Sequence, residues 1–352
     1  MKAFVYEGAG QSRLRALPRP QASAESAVIR VLACSVCGTD LRVWQHGSER
    51  ITPPRITGHE VCGQVVELGP ACAGFAVGDR ISVVPAIGCG ECPSCRKGFT
   101  NLCDTLQTIG FQFDGGFAEY MEVPAVAFRR GHVYKTPAGV SDEEAALAEP
   151  IACVVNGQEF LKISKGDSVA IFGSGFIGCM HAELARMNGA DPIIMIEPNE
   201  SRARAAHALI PFSSLIVPGK DDLASELKRL TGARGADVLI TACAVGQAQA
   251  DAMALAAKRG RISLFGGLAR ETLGFLDSNL IHYKELSVYG VHASTSKQNR
   301  QVMDWITAGR LKIRKYISHL YPLEEIEQAF RDLQSQSVFK AVVQPLRARG
   351  AG

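Results

Sequence analysis

The stretch Val169-Ala-Ile-Phe172, followed by Gly173-Ser-Gly175-Phe176-Ile177-Gly178 and a helical run through Arg186, restricts this chain more than any other segment. A short apolar strand that leads into a glycine-rich turn and then a helix is the context in which G-x-G-x-x-G binds a dinucleotide. Gly173 permits the tight turn, Gly175 lets backbone approach a pyrophosphate, and Gly178 lets helix and strand pack closely, with Phe176 and Ile177 inside the same turn. The phosphates would rest on the helix N-terminus. Nineteen residues past Gly178, the run Ile193-Ile-Met-Ile196 ends in Glu197, placed to accept hydrogen bonds from an adenosine ribose. Its charge opposes a 2′-phosphate, so NAD is expected over NADP, while Arg202 lies near enough in sequence to pull the other way.

Short apolar strands alternate with helical stretches around this motif: Ser168–Phe172, a helix through Arg186, Ile193–Ile196, a helix through Ala208, Ala236–Thr241, a helix through Ala257, and Arg261–Phe265. Such alternation predicts βαβ units and a parallel sheet over residues 151–291. Up to about residue 135 the texture differs. There the segments Ala27–Ala33, His59–Leu68, Asp79–Val84 and Phe117–Val123 are short, β-branched and punctuated by Gly and Pro, which predicts a barrel-like β domain. Asp142–Leu161 reads as one helix, with Ser141 as N-cap and Glu144 three residues on, and sets a boundary near residue 150. The final sixty residues hold an amphipathic stretch, Leu323–Leu333, and a strand-like Lys340–Gln344 that should return to the first domain.

At 352 residues the chain needs two cores. Its 47% apolar and 21% charged residues predict folding throughout, apart from the Arg-Gly-Ala-Gly end. A net charge of +3 with scattered basic residues makes a poor nucleic-acid footprint. No run is apolar enough for a membrane span, and MKAFVYEGAG lacks the apolar core of a signal peptide, so a cytoplasmic protein is expected.

Four of the 11 cysteines crowd into one lobe, residues 88–104, as Cys89-Gly-Glu-Cys92-Pro-Ser-Cys95 and then Cys103. In such a chain this crowding reads as metal ligation rather than disulfides. Four thiolates satisfy a tetrahedral zinc completely and leave no place for substrate, so this ion would be structural. A different donor mixture appears in Cys37-Gly-Thr39-Asp40, in Gly58-His59-Glu60, and in Ala-Glu149-Pro150-Ile-Ala-Cys153. A catalytic zinc takes about three protein ligands and one open position. Cys37 and His59 are the first two candidates and Glu149 the third, with Cys153 its rival one helical turn on; Glu60 either approaches the ion or supports it. Asp40 would accept the free ring N–H of His59, or else cap a helix.

These motifs together resemble the zinc-dependent medium-chain dehydrogenase/reductase family. Its zinc signature appears as Gly58-His59-Glu60-x-x-Gly63-x5-Gly69-x-x-Cys72, and the order of zinc segment, cysteine lobe, Glu-Pro and glycine turn matches along nearly the whole chain. The resemblance implies an α/β protein: a GroES-like catalytic domain from residues 1–150 and 292–352, and a Rossmann domain, doubly wound, over 151–291. Glu149-Pro150 and Asp114-Gly-Gly-Phe117-Ala-Glu-Tyr120 resemble the polyol branch, typified by sorbitol dehydrogenase.

By that resemblance the chain would carry two zinc ions and oxidise a secondary alcohol with NAD, Thr39 passing the proton outward and Glu149 holding water when substrate is absent. Many relatives carry a histidine for proton relay where this chain has Arg42, which makes an anionic group on the substrate conceivable. A threonine 3-dehydrogenase, a zinc-free carbonyl or enoyl reductase, and a non-enzymatic sensor are the competing readings. Trp44, Phe111, Phe113, His46 and His292 are candidate substrate contacts, and Leu286–Val291 a candidate edge strand through which a homodimer or homotetramer would form.

Overall fold

Inward-facing apolar positions build the first sheet. In a computed structural model, which describes residues 1–347 except 270, 271, 273 and 275, the strand Ala27–Ser35 is buried along nearly its whole length and lies at the centre of seven strands. The expected loose Arg-Gly-Ala-Gly end lies outside the described residues. On one side of Ala27–Ser35 runs Glu60–Leu68, antiparallel, followed by Arg80–Val83 and Val133–Lys135; on the other run Lys340–Gln344 and Ile317–Pro322, while Tyr120–Val123 also pairs with it. Register places Ser35 opposite Glu60 and beside Val342. Three chain segments that are far apart in sequence thus meet at one level of one sheet.

The core of this unit is mainly aliphatic, with a cluster of aromatic rings within it. Phe330, on the helix Ile326–Gln334, packs its ring 6.0 Å from both Phe4 and Phe117 and 5.2 Å from Trp44. Phe4, Phe117 and Phe330 are all fully buried, and burial of rings of this size supplies a large share of the stabilisation. This unit comprises Met1–Ala152 with Ala293–Gly352.

The second unit, Cys153–His292, is a six-stranded parallel sheet. Its strand order is Ser214–Ile216, Ile193–Ile196, Val169–Phe172, Ala236–Thr241, Ala256–Leu264 and Ser287–Gly290. The chain starts in the middle, at Val169–Phe172, winds outward one way and returns to wind outward the other, so the order reverses beside that strand. Ligands of doubly wound sheets bind at such a reversal, outside the carboxyl ends of the strands.

Several boundaries differ from the sequence reading. Asp142–Leu161 is two helices, Asp142–Ala146 and Ala148–Leu161, because Pro150 has no N–H to donate to Ala146 and fits only a first helical turn. The helix expected through Ala257 ends at Leu255, since Ala256 pairs with Ala236 and begins a strand. The strand Ser214–Ile216 and the helices Leu223–Leu230, Ser278–Lys284 and Ser296–Thr307 were not anticipated; the strand is too short to show a period, and the helices are announced mainly by their caps Asp222, Asp277 and Thr295. Among the described residues no helix is long and apolar enough to cross a membrane.

Candidate functional site

The cysteine lobe organises its own sulfurs. The N–H groups of Glu91 and Cys92 point at the Cys89 sulfur at 3.4 and 3.3 Å, that of Cys95 at Cys92 at 3.5 Å, and that of Cys89 at Cys103 at 3.2 Å. All four sulfurs lie within 4.8 Å of one another. Zinc–sulfur bonds of about 2.3 Å need tetrahedral sulfurs about 3.8 Å apart, so the cluster fits that ion. The amide N–H groups of Glu91 and then Cys92 pull the Cys89 thiol down to about 6, whereas burial pushes Cys95 up to about 12. A metal cation would favour the thiolate at every position.

The second cluster is assembled from distant segments. Cys37 caps the helix Gly38–His46: its sulfur accepts the N–H of Thr39, and Asp40 returns a carboxylate to the Cys37 N–H at 3.0 Å. The N-cap is therefore Cys37, not Asp40. Asp40 instead serves as the third helical residue of the capping box, and its other oxygen lies 3.2 Å from Nδ1 of His59, a charge contact that is not aligned as a hydrogen bond. That leaves Nε2 as the nitrogen available to a metal.

His59 is aimed by close backbone packing. Gly58 has φ of 91°, and the Asp114-Gly-Gly segment lies against it, with Gly115 N–H on Ile56, Gly116 on Gly58 and Phe117 on Thr57. A Cβ on Gly115 would sit 2.1 Å from the Gly58 carbonyl oxygen, so only glycine allows this approach. Asp114 ties off the same turn by accepting the Ile56 N–H at 3.1 Å and pairing with Arg55 at 3.0 Å. The segment read from sequence as a branch signature thus acts as the brace behind His59.

Among the described residues, the donors that lie within 4.8 Å of one another at this site are Cys37, His59 and Glu60. Glu149 and Cys153 stand outside that set, contrary to the expected Cys37–His59–Glu149 triad. Glu149, in the first turn of Ala148–Leu161, still acts on Glu60 and Tyr134 through its charge. Glu60 is fully buried. Its Oε2 accepts Ser35 Oγ and pairs with Lys340 Nζ at 2.6 Å, while its Oε1 has no hydrogen-bond partner among the described residues. A buried carboxylate oxygen without a donor is costly, and beside a thiolate and an imidazole it fits a metal ligand.

The field here favours a cation. Burial opposes protonation of His59, yet Asp40 and Cys37 outweigh it and hold its pKa well above the ordinary value. Burial drives the Glu60 carboxyl up to about 7, against the pull of Lys340 and His59. Burial would lower Lys340 too, but Glu60 and Cys37 more than offset that and keep it charged. Lys340, whose Nζ also donates to the Val36 carbonyl at 3.0 Å, and Ser35 are functional residues that sequence reasoning missed. No local pattern marks them, because only the strand pairing brings them to Glu60. Of the aromatic candidates, Phe111 lies edge-on to His59 at 6.2 Å, while Trp44 packs on Phe330 instead.

In the second unit the glycine turn leaves Val169–Phe172 with Gly173 at φ 102°, and Gly175 begins the helix Phe176–Met187. A Cβ on Gly178 would lie 1.9 Å from the Gly173 carbonyl oxygen, which is the close helix–strand approach inferred from sequence. Glu197 is buried at the end of Ile193–Ile196. One oxygen accepts the Ser174 N–H at 2.9 Å and its hydroxyl at 3.1 Å; the other accepts the Asn199 N–H at 3.0 Å. Arg202 brings its guanidinium over Gly175, within 2.5 Å of where a Cβ would stand. The turn therefore presents helix N–H groups, a fixed carboxylate and one guanidinium together.

Both units also match known protein families. Residues 23–137 match the alcohol dehydrogenase GroES-like domain and residues 177–308 the zinc-binding dehydrogenase domain. The chain is 33% identical to L-threonine 3-dehydrogenase of Pyrococcus horikoshii, covering 92% of each chain, and 29% identical to sorbitol dehydrogenase of Halalkalibacterium halodurans, covering 98% of this chain and 100% of that one. A zinc-binding dehydrogenase from Sinorhizobium meliloti, bound to NADP, superposes with a TM-score of 0.90 at 31% identity over 98% of this chain and 99% of that one. The chain belongs to the zinc-dependent medium-chain alcohol dehydrogenase family, oxidoreductases that act on CH–OH groups with NAD(P).

Proposed function

We propose that this protein oxidises a secondary alcohol of polyol, sugar or cyclitol type to a ketone, with NAD as hydride acceptor. The observation that carries the reading is the Cys37–His59–Glu60 cluster, with its unpartnered buried Glu60 oxygen, in the same chain as the glycine turn. A zinc ion held there would supply Lewis acidity that lowers the pKa of a substrate hydroxyl, and a bound nicotinamide would supply the acceptor for the hydride on the carbon bearing that hydroxyl.

The protein's residues do the rest. Cys37 and His59 would hold the ion with Glu60 as third donor, its carboxylate steadied by Lys340 and Ser35, and Glu149 is the alternative third ligand. Asp40 fixes the His59 ring, and the Thr39 hydroxyl carries the released proton away from the substrate oxygen. Cys89, Cys92, Cys95 and Cys103 hold a second, structural zinc. Gly173, Gly175, Phe176, Ile177 and Gly178 bind the pyrophosphate, and Glu197 the adenosine ribose. Arg202 is the one feature that favours a 2′-phosphate, so NADP is the weaker alternative.

The parallel edge strand Ser287–Gly290 offers unpaired backbone groups through which copies would assemble as a homodimer or homotetramer. Eleven cysteines, none in a disulfide among the described residues, suit a reducing cytoplasm. Oxidation of an amino alcohol is the second reading, favoured by the 33% identity to a threonine 3-dehydrogenase.

The test is a screen of polyols, cyclitols, sugar acids and amino alcohols with NAD and NADP, before and after removal of metal by a chelator. Reduced cofactor should appear with at least one alcohol, disappear on chelation and return with zinc. Undiminished turnover by metal-free protein would overturn the metal-dependent mechanism.

A further inference from the structure

We propose that Arg50 is a specificity-determining residue that binds an anionic group, carboxylate or phosphate, carried by the alcohol substrate. The inference rests on the alcohol-oxidation reading and narrows its substrate class.

The argument begins with how Arg50 is held. Its guanidinium carbon lies 4.9 Å from the centre of the Phe111 ring, and that ring is in edge contact with His59 at 6.2 Å. Two ring contacts therefore separate a positive charge from the imidazole of the metal cluster. The loop is pinned on both sides. The Arg50 carbonyl accepts Gln112 Nε2 at 2.9 Å, Gln112 in turn accepts the Thr108 N–H at 2.9 Å, and the next residue, Ile51, is buried with Tyr6, Val43 and Phe111. Exposed arginines usually lose affinity to side-chain entropy; this one is already positioned.

The second step concerns charge balance. Three other basic side chains of the same unit have acidic partners: Arg55 pairs with Asp114, Arg80 with Asp142 and Lys340 with Glu60. Arg50 has no carboxylate at ion-pair distance among the described residues, and its one side-chain hydrogen bond is a long 3.4 Å contact with Thr108 Oγ1. A guanidinium held over an aromatic ring by cation–π attraction still has N–H groups to offer, and its planar fork matches two oxygens of a carboxylate or phosphate. Arg42, which also departs from expectation in sequence, has no ring or hydrogen bond to fix it among the described residues and is the natural control.

The experiment compares an aldonate and a sugar phosphate with the neutral polyol of equal chain length, in the wild-type holoenzyme and in R50Q, R50K and R42Q. Wild type should favour one of the two anions over the neutral polyol. In R50Q the anion-to-neutral ratio of kcat/KM should fall about 10- to 100-fold, mainly through KM, as expected for a lost charge-assisted hydrogen bond. R50K should retain part of the preference and R42Q all of it. Which anion responds tells carboxylate from phosphate.

A second readout does not depend on turnover: labelling of Arg50 by phenylglyoxal, followed by peptide mass spectrometry, should be suppressed by the preferred anion in wild type. If no alcohol is oxidised, the functional reading fails while this protection still decides whether Arg50 binds anions. A ratio unchanged in R50Q, or labelling that no anion suppresses, overturns the proposal.

Discussion

The two donor clusters of this chain are built in opposite ways. In the lobe, four sulfurs come from fifteen consecutive residues, and local N–H groups aim at three of them before any tertiary contact is made. In the open cluster, the donors come from a helix cap, a turn and a strand, and the strand's carboxylate is steadied by a lysine about 280 residues away. The first is a local knot, and the second exists only when the sheet is paired. Loss of a donor from the lobe should therefore appear as lost stability, and loss of a donor from the open cluster as lost activity.

Cys37→Ser should give the largest effect. It removes a soft donor while serine can still cap the helix, and kcat/KM should fall at least about 1,000-fold, on the order of 4 kcal/mol of transition-state stabilisation. Bound zinc should fall from two ions per chain to one, measured by elemental analysis, with little change in thermal midpoint. A variant that retained full turnover would break the contrast at its most important point.

Next in size is Lys340→Met, which leaves the Glu60 charge buried with one partner fewer. Removing one member of a buried pair costs about 3–5 kcal/mol, so the denaturation midpoint should drop sharply. Glu60→Gln in the same chain should restore much of that loss, and a double-mutant cycle measures how much. If the two losses simply add, Lys340 and Glu60 are not coupled and the open cluster is not held from a distance.

What could be read in advance follows the same division. The cysteine lobe, the glycine turn and the strand Ile193–Ile196 were legible because each is a local pattern whose residues do their work on their immediate neighbours. Cys37 and His59 were legible as ligand types in a suggestive setting. The third donor was not, since the choice between Glu60 and Glu149 depends on which side of a paired strand faces the sulfur. Lys340 and Arg50 carried no signal, one because its partner is remote and the other because an aromatic contact defines it. The break at Leu147 was readable from Pro150, but the apolar periodicity that runs through it masked the break.

Cys103→Ser tests the other half of the comparison. With three sulfurs the lobe should lose or weaken its zinc and open locally, at a cost of about 2–3 kcal/mol, because the seven-stranded sheet keeps its own core. Native-state hydrogen exchange should show loss of protection within residues 88–104 and little elsewhere. Global unfolding instead would mean that the lobe is not an independent knot.

Acid supplies the smallest and most general effect, and it has to be separated from metal loss. His132 is buried in the first unit and His181 in the second; burial lowers their pKa values to about 4 and about 3, in the case of His132 with help from Arg300. Both folded values lie below the unfolded value of about 6.5, so the native state binds fewer protons than the unfolded one between them. Their contribution is complete above about pH 6.5 and is lost as pH falls toward 4. Stability measured by urea denaturation should decline over that window even in protein whose zinc is retained. His132→Gln should recover on the order of 1 kcal/mol of that decline at pH 5, read as a shallower slope rather than a higher plateau. An unchanged slope would assign the acid sensitivity to the metal clusters, and the two could then be ranked by which zinc is released first.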